Sequence, residues 1–229
     1  MTLSIITLTP NDSGLKIGDT VPLIEPNIHD SCILADRDGT HVGLFLTNLP
    51  KDLVNLVNIA DIELRSKRVP KSDMRRSSGL HNQAAEVKQY SAILGSCPPK
   101  PHMRRPYPSR SSVHGVTSAK TFCRVMSAAG IRAFELLRSN APQVVEGHLK
   151  AIKTRVPQQW SFSKHFTSTI SNCNISAAVH QDHANVKGAI NIIITKRRNS
   201  SGGNLHVPEF GATFDPVSYT HLTLPTTKN

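Results

Sequence analysis

His180 and Asp182 stand two residues apart in His180-Gln181-Asp182. At the end of a strand, side chains i and i+2 point to one face, so an imidazole and a carboxylate at this spacing can meet one metal ion. Such a pair supplies two of the three ligands of a facial triad. Two histidines and one carboxylate leave three positions open on Fe(II), enough for a bidentate 2-oxo acid and dioxygen. The same spacing also suits a plain His-Asp hydrogen bond at a strand end.

The segments on either side have β texture. Ile175–His180, Gly188–Thr195 and Leu205–Val207 are rich in β-branched and apolar residues and are predicted strands. Gly202 and Gly203 mark a tight turn into the last of these, and Pro208 and Glu209 its exit. Upstream, Ser31–Ala35 and Thr40–Leu46 flank Asp36-Arg37-Asp38-Gly39 and predict a β-hairpin, because Asp-Gly suits a tight turn. After Pro50 the period becomes helical through Leu53, Leu56, Val57, Ala60 and Leu64, with Asp52 in the first turn where the helix dipole favours an acid. Two more helices are predicted. Ser118 caps one running through Phe122, Met126, Ala129, Ala133 and Leu137, which Gly130 weakens, and Pro142 starts the other through Val145, Leu149 and Ile152.

With 229 residues and 38% hydrophobic residues, the chain has the composition of a globular protein, and no apolar run approaches the ~20 residues that span a bilayer. The formal net charge of +11 is concentrated. Residues 65–124 hold thirteen Lys and Arg against two acids, while residues 1–64 hold nine acids and three bases. Within the basic block, Arg75, Arg76, Arg104, Arg105, Tyr107 and Arg110 sit among prolines and serines, and Pro-restricted backbone presenting Arg and Tyr suits phosphate contact with aromatic stacking. These six residues are the predicted nucleic-acid contacts. Cys32, Cys97, Cys123 and Cys173 are widely spaced without a CxxC pair, which fits free thiols in a reducing compartment.

After His180-Gln181-Asp182 come Asn185, the apolar run Ala189–Ile194, and Gly202-Gly203-Asn204-Leu205-His206-Val207-Pro208-Glu209-Phe210-Gly211. This order, HxDxxN followed by a hydrophobic strand and GGxLxxPExG, resembles the 2-oxoglutarate- and Fe(II)-dependent dioxygenases of the ten-eleven-translocation and base-J-binding-protein class, bacteriophage members included. The resemblance implies His180 and Asp182 as catalytic iron ligands and Asn185 as a substrate-binding residue that helps recognise a flipped base. It implies Fe(II) and 2-oxoglutarate as cofactors, dioxygen as co-substrate, and DNA carrying a methylated pyrimidine, 5-methylcytosine or thymine, as the partner whose methyl group is hydroxylated. A phage-type relative would work in the cytoplasm of a bacterial host cell. The distal histidine and the 2-oxoglutarate-binding arginine of the class are not identifiable in this sequence.

Val217–Thr226 resembles the translation of a sequencing-library adapter, so residues 217–229 are set aside and the natural chain is expected to continue past Pro216. The expected fold is α+β, with an N-terminal α+β segment over 1–64, a basic segment over 65–117, and helices plus the first strands of an incomplete double-stranded β-helix over 118–216. Two other functions stay open: a nucleic-acid-binding module without catalysis, and a hydroxylase of protein side chains.

Overall fold

A computed structural model of the protein describes residues 3–65, 69–70, 90–97, 109–110, 119–174, 177–182 and 185–225. The hairpin forms where Asp-Gly places it. The Asp36 carboxylate accepts the backbone N–H groups of Asp38 (3.0 Å) and Thr40 (2.9 Å), turning β2 (Cys32–Ala35) into antiparallel β3 (His41–Leu46). The N-terminal strand β1 (Ser4–Thr7) pairs parallel to β2. Helix α1 (Lys51–Leu64) follows Pro50 and buries Leu53, Ala60 and Leu64, three positions of the predicted stripe.

Strands β4 (Val69–Pro70) and β6 (Ser109–Arg110) both pair with β5 (Tyr90–Cys97), whose main partner is β7 (Ser168–Cys173). The basic segment thus contributes a sheet around the apolar Tyr90–Leu94 core. Gly95 adopts φ +90 in β5, and a Cβ there would lie 2.5 Å from the Thr167 carbonyl oxygen and 2.8 Å from the Ser168 Cα. Because both obstacles are backbone, Gly95→Ala must move β7 or the strand itself. The expected loss is about 2–4 kcal/mol of unfolding free energy in urea titration, with at most ~0.5 kcal/mol showing this close approach to be unimportant.

Helices α2 (Ala119–Asn140) and α3 (Pro142–Arg155) meet at Ala141, with Pro142 in the first turn of α3 as expected. Gly130 in α2 lets Ser163 approach: a Cβ there would stand 2.7 Å from the Ser163 Oγ, which donates to the Ser127 carbonyl (2.8 Å). The helices cover one face of a five-stranded sheet, packing Phe134, Leu137, Val144 and Val145 on Leu44 and on Ile190 of β8 (Ile190–Thr195). On the opposite face Phe45, Cys32 and Leu34 pack against a two-stranded ladder of β9 (Leu205–Val207) and β10 (Ala212–Phe214), where the Phe45 and Phe214 rings lie 5.2 Å apart.

The sheet order is β1-β2-β3-β11-β8, where β11 is Thr220–Pro225. Residues 217–229 are set aside in the sequence reading, yet Thr220–Pro225 lies between β3 and β8 with Thr220, His221, Leu222 and Thr223 buried. The reason is its alternation, which sends Leu222 into the Phe45/Phe214 core and His221 and Thr223 to the other face. The protein is mixed α+β, as expected. Among the described residues, the strands facing each other across the Phe45 core number five and two, which does not complete the paired sheets of an eight-stranded roll.

Two predicted strands are corrected. Strand β7 ends at Cys173, Asn174 takes a left-handed φ of 54, and Ala177–Asp182 is irregular. Strand β8 starts at Ile190 and not at Gly188, which sits in a turn at φ 80. Cys32, Cys123 and Cys173 form no disulfide among the described residues, and burial, reinforced by nearby Asp30, pushes the Cys32 thiol up to about 11.

Candidate functional site

The His180–Asp182 segment is held by the far end of the chain. Asp19 closes a turn, its carboxylate accepting the Lys16 N–H (2.8 Å) while its own N–H donates to the Lys16 carbonyl (3.0 Å). That turn presents Gly18 N–H to the Val179 carbonyl (2.8 Å) and the Asp19 carbonyl to Val179 N–H (3.0 Å). Val179 is thereby fixed one residue before the histidine. These anchors were not visible as site residues in the sequence, since a Gly-Asp pair beside no motif carries no signal of a partner so far along the chain.

The His180 Nδ1–H donates to the Ala178 carbonyl (2.8 Å), because a carbonyl oxygen can only accept. This tautomer leaves the Nε2 lone pair free, and Nε2 lies 3.8 Å from Asp182 Oδ1. A backbone carbonyl on the far ring nitrogen is the usual means of orienting a metal-binding imidazole. Both side chains are more than half exposed (58% and 61%), so a cation could reach them from solvent. The two side chains stand 3.8 Å apart, in a bent loop instead of on one face of a strand. Asn185 follows in the same bend, its N–H donating to the Asp182 carbonyl (3.4 Å), and is half-buried.

A third ligand is another matter. His206 Nδ1 pairs with Thr213 Oγ1 (2.8 Å) across the β9–β10 ladder, on the face opposite Leu205 and Val207. His221 is enclosed between its strand neighbours Leu46 and Ile194, which pack toward α1 and α2, and its Nε2 meets Thr223 Oγ1 (2.7 Å). Neither histidine shares the exposed loop of His180. Among the described residues no group of three or more His, Cys, Asp and Glu side chains comes together as a metal site. His180 and Asp182 would make two of the three ligands a facial triad needs, so the described residues by themselves do not fit iron.

Of the predicted nucleic-acid contacts, Arg75, Arg76, Arg104, Arg105 and Tyr107 lie outside the described residues, and Arg110 pairs through its backbone with Ser96 of β5. Among the described residues no helix is long and apolar enough to cross a membrane.

No protein-family model matches the chain. No curated protein matches it either. Ten chains of solved structures do. One of them, NgTET1 in complex with 5mC DNA, superposes with a TM-score of 0.59 over 98% of this chain and 74% of that one, at 10% sequence identity. The fold is TET-like. At that identity the likeness is one of architecture, so the chemistry of this chain has to be argued from its own residues. Within the TET-like fold, the loop after β7 carries the imidazole and carboxylate of the HxD spacing, 3.8 Å apart.

Proposed function

We propose that the chain is part of a 2-oxoglutarate- and Fe(II)-dependent dioxygenase that hydroxylates the methyl group of a methylated pyrimidine, 5-methylcytosine or thymine, in DNA. The observation that carries this reading is the His180–Asp182 pair, with its Nε2 lone pair free, in a TET-like fold. Its support on the partner side is that the solved relative holds 5mC DNA. In this reading His180 and Asp182 hold the metal, and the third ligand comes from outside the described residues. Iron with 2-oxoglutarate and dioxygen, once bound, would supply the oxidising chemistry. Asn185, three residues after Asp182, recognises the base, and Arg75, Arg76, Arg104, Arg105, Tyr107 and Arg110 hold the DNA strand.

The direct test is metal affinity alongside turnover. Calorimetric titration with Mn(II), a redox-silent substitute for Fe(II), is expected to give binding that Asp182→Ala weakens by at least about tenfold. In a full-length protein that supplies the third ligand, succinate and 5-hydroxymethylcytosine should form on 5mC DNA and fall below detection with Asp182→Ala, whereas the chain of 229 residues by itself is expected to be inactive. Equal Mn(II) affinity in wild type and variant sinks the assignment of the ligands.

The two-donor set favours one other reading, a nucleic-acid-binding module in which His180 and Asp182 hold no metal; at 3.8 Å they stand beyond the distance of the hydrogen bond their spacing would also suit. That module binds DNA with full affinity after Asp182→Ala and releases no succinate.

A further inference from the structure

Outside the block of residues 65–124 the chain is neutral in total, but not in its distribution. Residues 142–198 contain eight Lys and Arg and two acids, Glu146 and Asp182. Two of these cations are neutralised: Lys196 pairs with Asp61 (2.9 Å) and Arg197 approaches Asp215 (3.8 Å). Of the exposed ones, Lys150, Lys153 and Arg155 lie on α3 and Lys164 and Lys187 on the segments beside it, while Arg198 follows β8.

Helix α3 is set between two segments by one buried side chain. His148 Nε2 meets the His165 carbonyl (2.7 Å) on one flank, and His148 Nδ1 accepts the Ile190 N–H (3.3 Å) on the other. The first flank carries exposed Lys164, and the second carries exposed Lys187, in the Val186–Ala189 turn whose Gly188 would place a Cβ 3.7 Å from the Ala151 Cβ. On the helix itself Lys150 and Lys153 lie three residues apart on the outward face, and Arg155 ends it, all exposed. Glu146 is the single acid of the helix. The Val186–Ala189 turn continues from Asn185, so this basic ridge begins where the His180–Asp182 loop ends.

We infer that α3 and the Val186–Ala189 turn form a phosphate-contacting surface that seats duplex DNA beside the His180–Asp182 loop, with Lys150, Lys153, Arg155 and Lys187 as its contacts. The inference rests on the proposal that DNA is the substrate, and it places backbone contact on a rigid helix in addition to the residue 65–124 block. Four cations with one acid among them, three held on a helix and one on a turn packed against it, present a charge pattern complementary to a regularly charged polyanion. A lone helix-end cation pair would only complement the helix dipole. Here the charge extends across to a different element.

The test uses the full chain and a fluorescent duplex of about 20 base pairs, titrated across ~50–200 mM salt. Lys150→Gln, Lys153→Gln, Arg155→Gln and Lys187→Gln are combined in one variant, and Arg37→Gln with Lys51→Gln, exposed cations on the hairpin turn and at the start of α1, form the control. All four positions are exposed, so circular dichroism and the melting temperature should match wild type. The expected result is affinity lowered by at least about tenfold and a log-log salt slope flattened by roughly 3–4, at ~0.9 per phosphate contact, with the control near wild type. Wild-type binding that the fourfold variant reproduces overturns this surface and leaves the functional reading standing. Absence of wild-type binding even at low salt overturns both. Stronger loss on phosphatidylglycerol vesicles than on the duplex assigns the ridge to a membrane surface and overturns the inference.

Discussion

Phe134→Ala is expected to cost about 3–5 kcal/mol of unfolding free energy, enough to leave much of a marginally stable chain unfolded at 37 °C. Phe134 is 1% exposed at the centre of the contact between α2, α3 and the sheet. Its ring stacks on His165 (4.1 Å between centroids, 19° between planes), meets Phe166 edge-on (5.9 Å) and lies 5.6 Å from His148. Leu44, Leu137, Val144, Val145 and Ile190 close the cluster. Truncation removes the ring from all of these partners, and the hydrogen bonds of His148 to His165 and Ile190 keep the neighbours from collapsing into the space. Phe134→Leu should recover roughly half of the loss, since it refills volume without the aromatic geometry. Urea titration of both variants measures this, and a Phe134→Ala change under ~1 kcal/mol would show that the cluster is not the junction of the helical layer with the sheet.

The elements legible in the sequence are those whose cause is local. Asp36 and Gly39 specify the hairpin turn by hydrogen bonds within five residues, Pro142 starts α3, and the spacing of Leu53, Ala60 and Leu64 fixes the buried stripe of α1. Gly130 is only half legible, because a helix-weakening glycine is visible in the sequence while the Ser163 hydroxyl that needs the space is not. The apolar run Ala92-Ile93-Leu94 at the centre of β5 is visible in the sequence, but its partner β7 carries Ser, Thr and Asn in a pattern that reads as loop until the two are paired. The same logic separates the pair from its loop. The HxD spacing announces the pair of side chains, whereas the irregular path of Ala177–Asp182 is set by Gly18 and Asp19 at the other end of the chain. The basic ridge was hidden by arithmetic, since acids in residues 1–64 cancel the cations of α3 in any total taken outside the basic block. The Thr220–Pro225 strand shows the opposite hazard. An alternating Thr/His/Leu pattern suits an inner strand, and its resemblance to an adapter says nothing about that physical property.

Lowering the pH from 7 to about 4.5 is expected to remove several kcal/mol of stability, through buried histidines more than through carboxylates. His148 is 1% exposed, and its two ring nitrogens are committed in opposite senses: Nε2–H donates to the His165 carbonyl, and Nδ1 accepts the Ile190 N–H. A second proton would set N–H against N–H. Burial holds its pKa below the ordinary value, with the His165 carbonyl opposing that shift in part. His221, fully enclosed in β11, is pulled down by burial to about 4, and its Nδ1 has no partner among the described residues. Since both native pKa values lie below the ~6.5 of an unfolded histidine, the unfolded chain binds more protons as the pH drops below ~6.5, and the native state loses ground until its own pKa is reached. For His221 that window runs from ~6.5 down to about 4, corresponding to about 3 kcal/mol. Asp52 acts lower in the scale, since its hydrogen bond to Arg132 (2.6 Å) holds the carboxyl below its ordinary range and keeps it ionised through this window. Urea midpoints measured from pH 7.5 to 4.5 should therefore fall steadily below about pH 6.5, and His148→Asn, which keeps an acceptor near the Nδ1 position, should be less stable at pH 7 yet lose less on acidification. A midpoint that holds level or rises between pH 6.5 and 4.5 would mean that these imidazoles are charged or solvated in the native state, contrary to their packing against β8 and within β11.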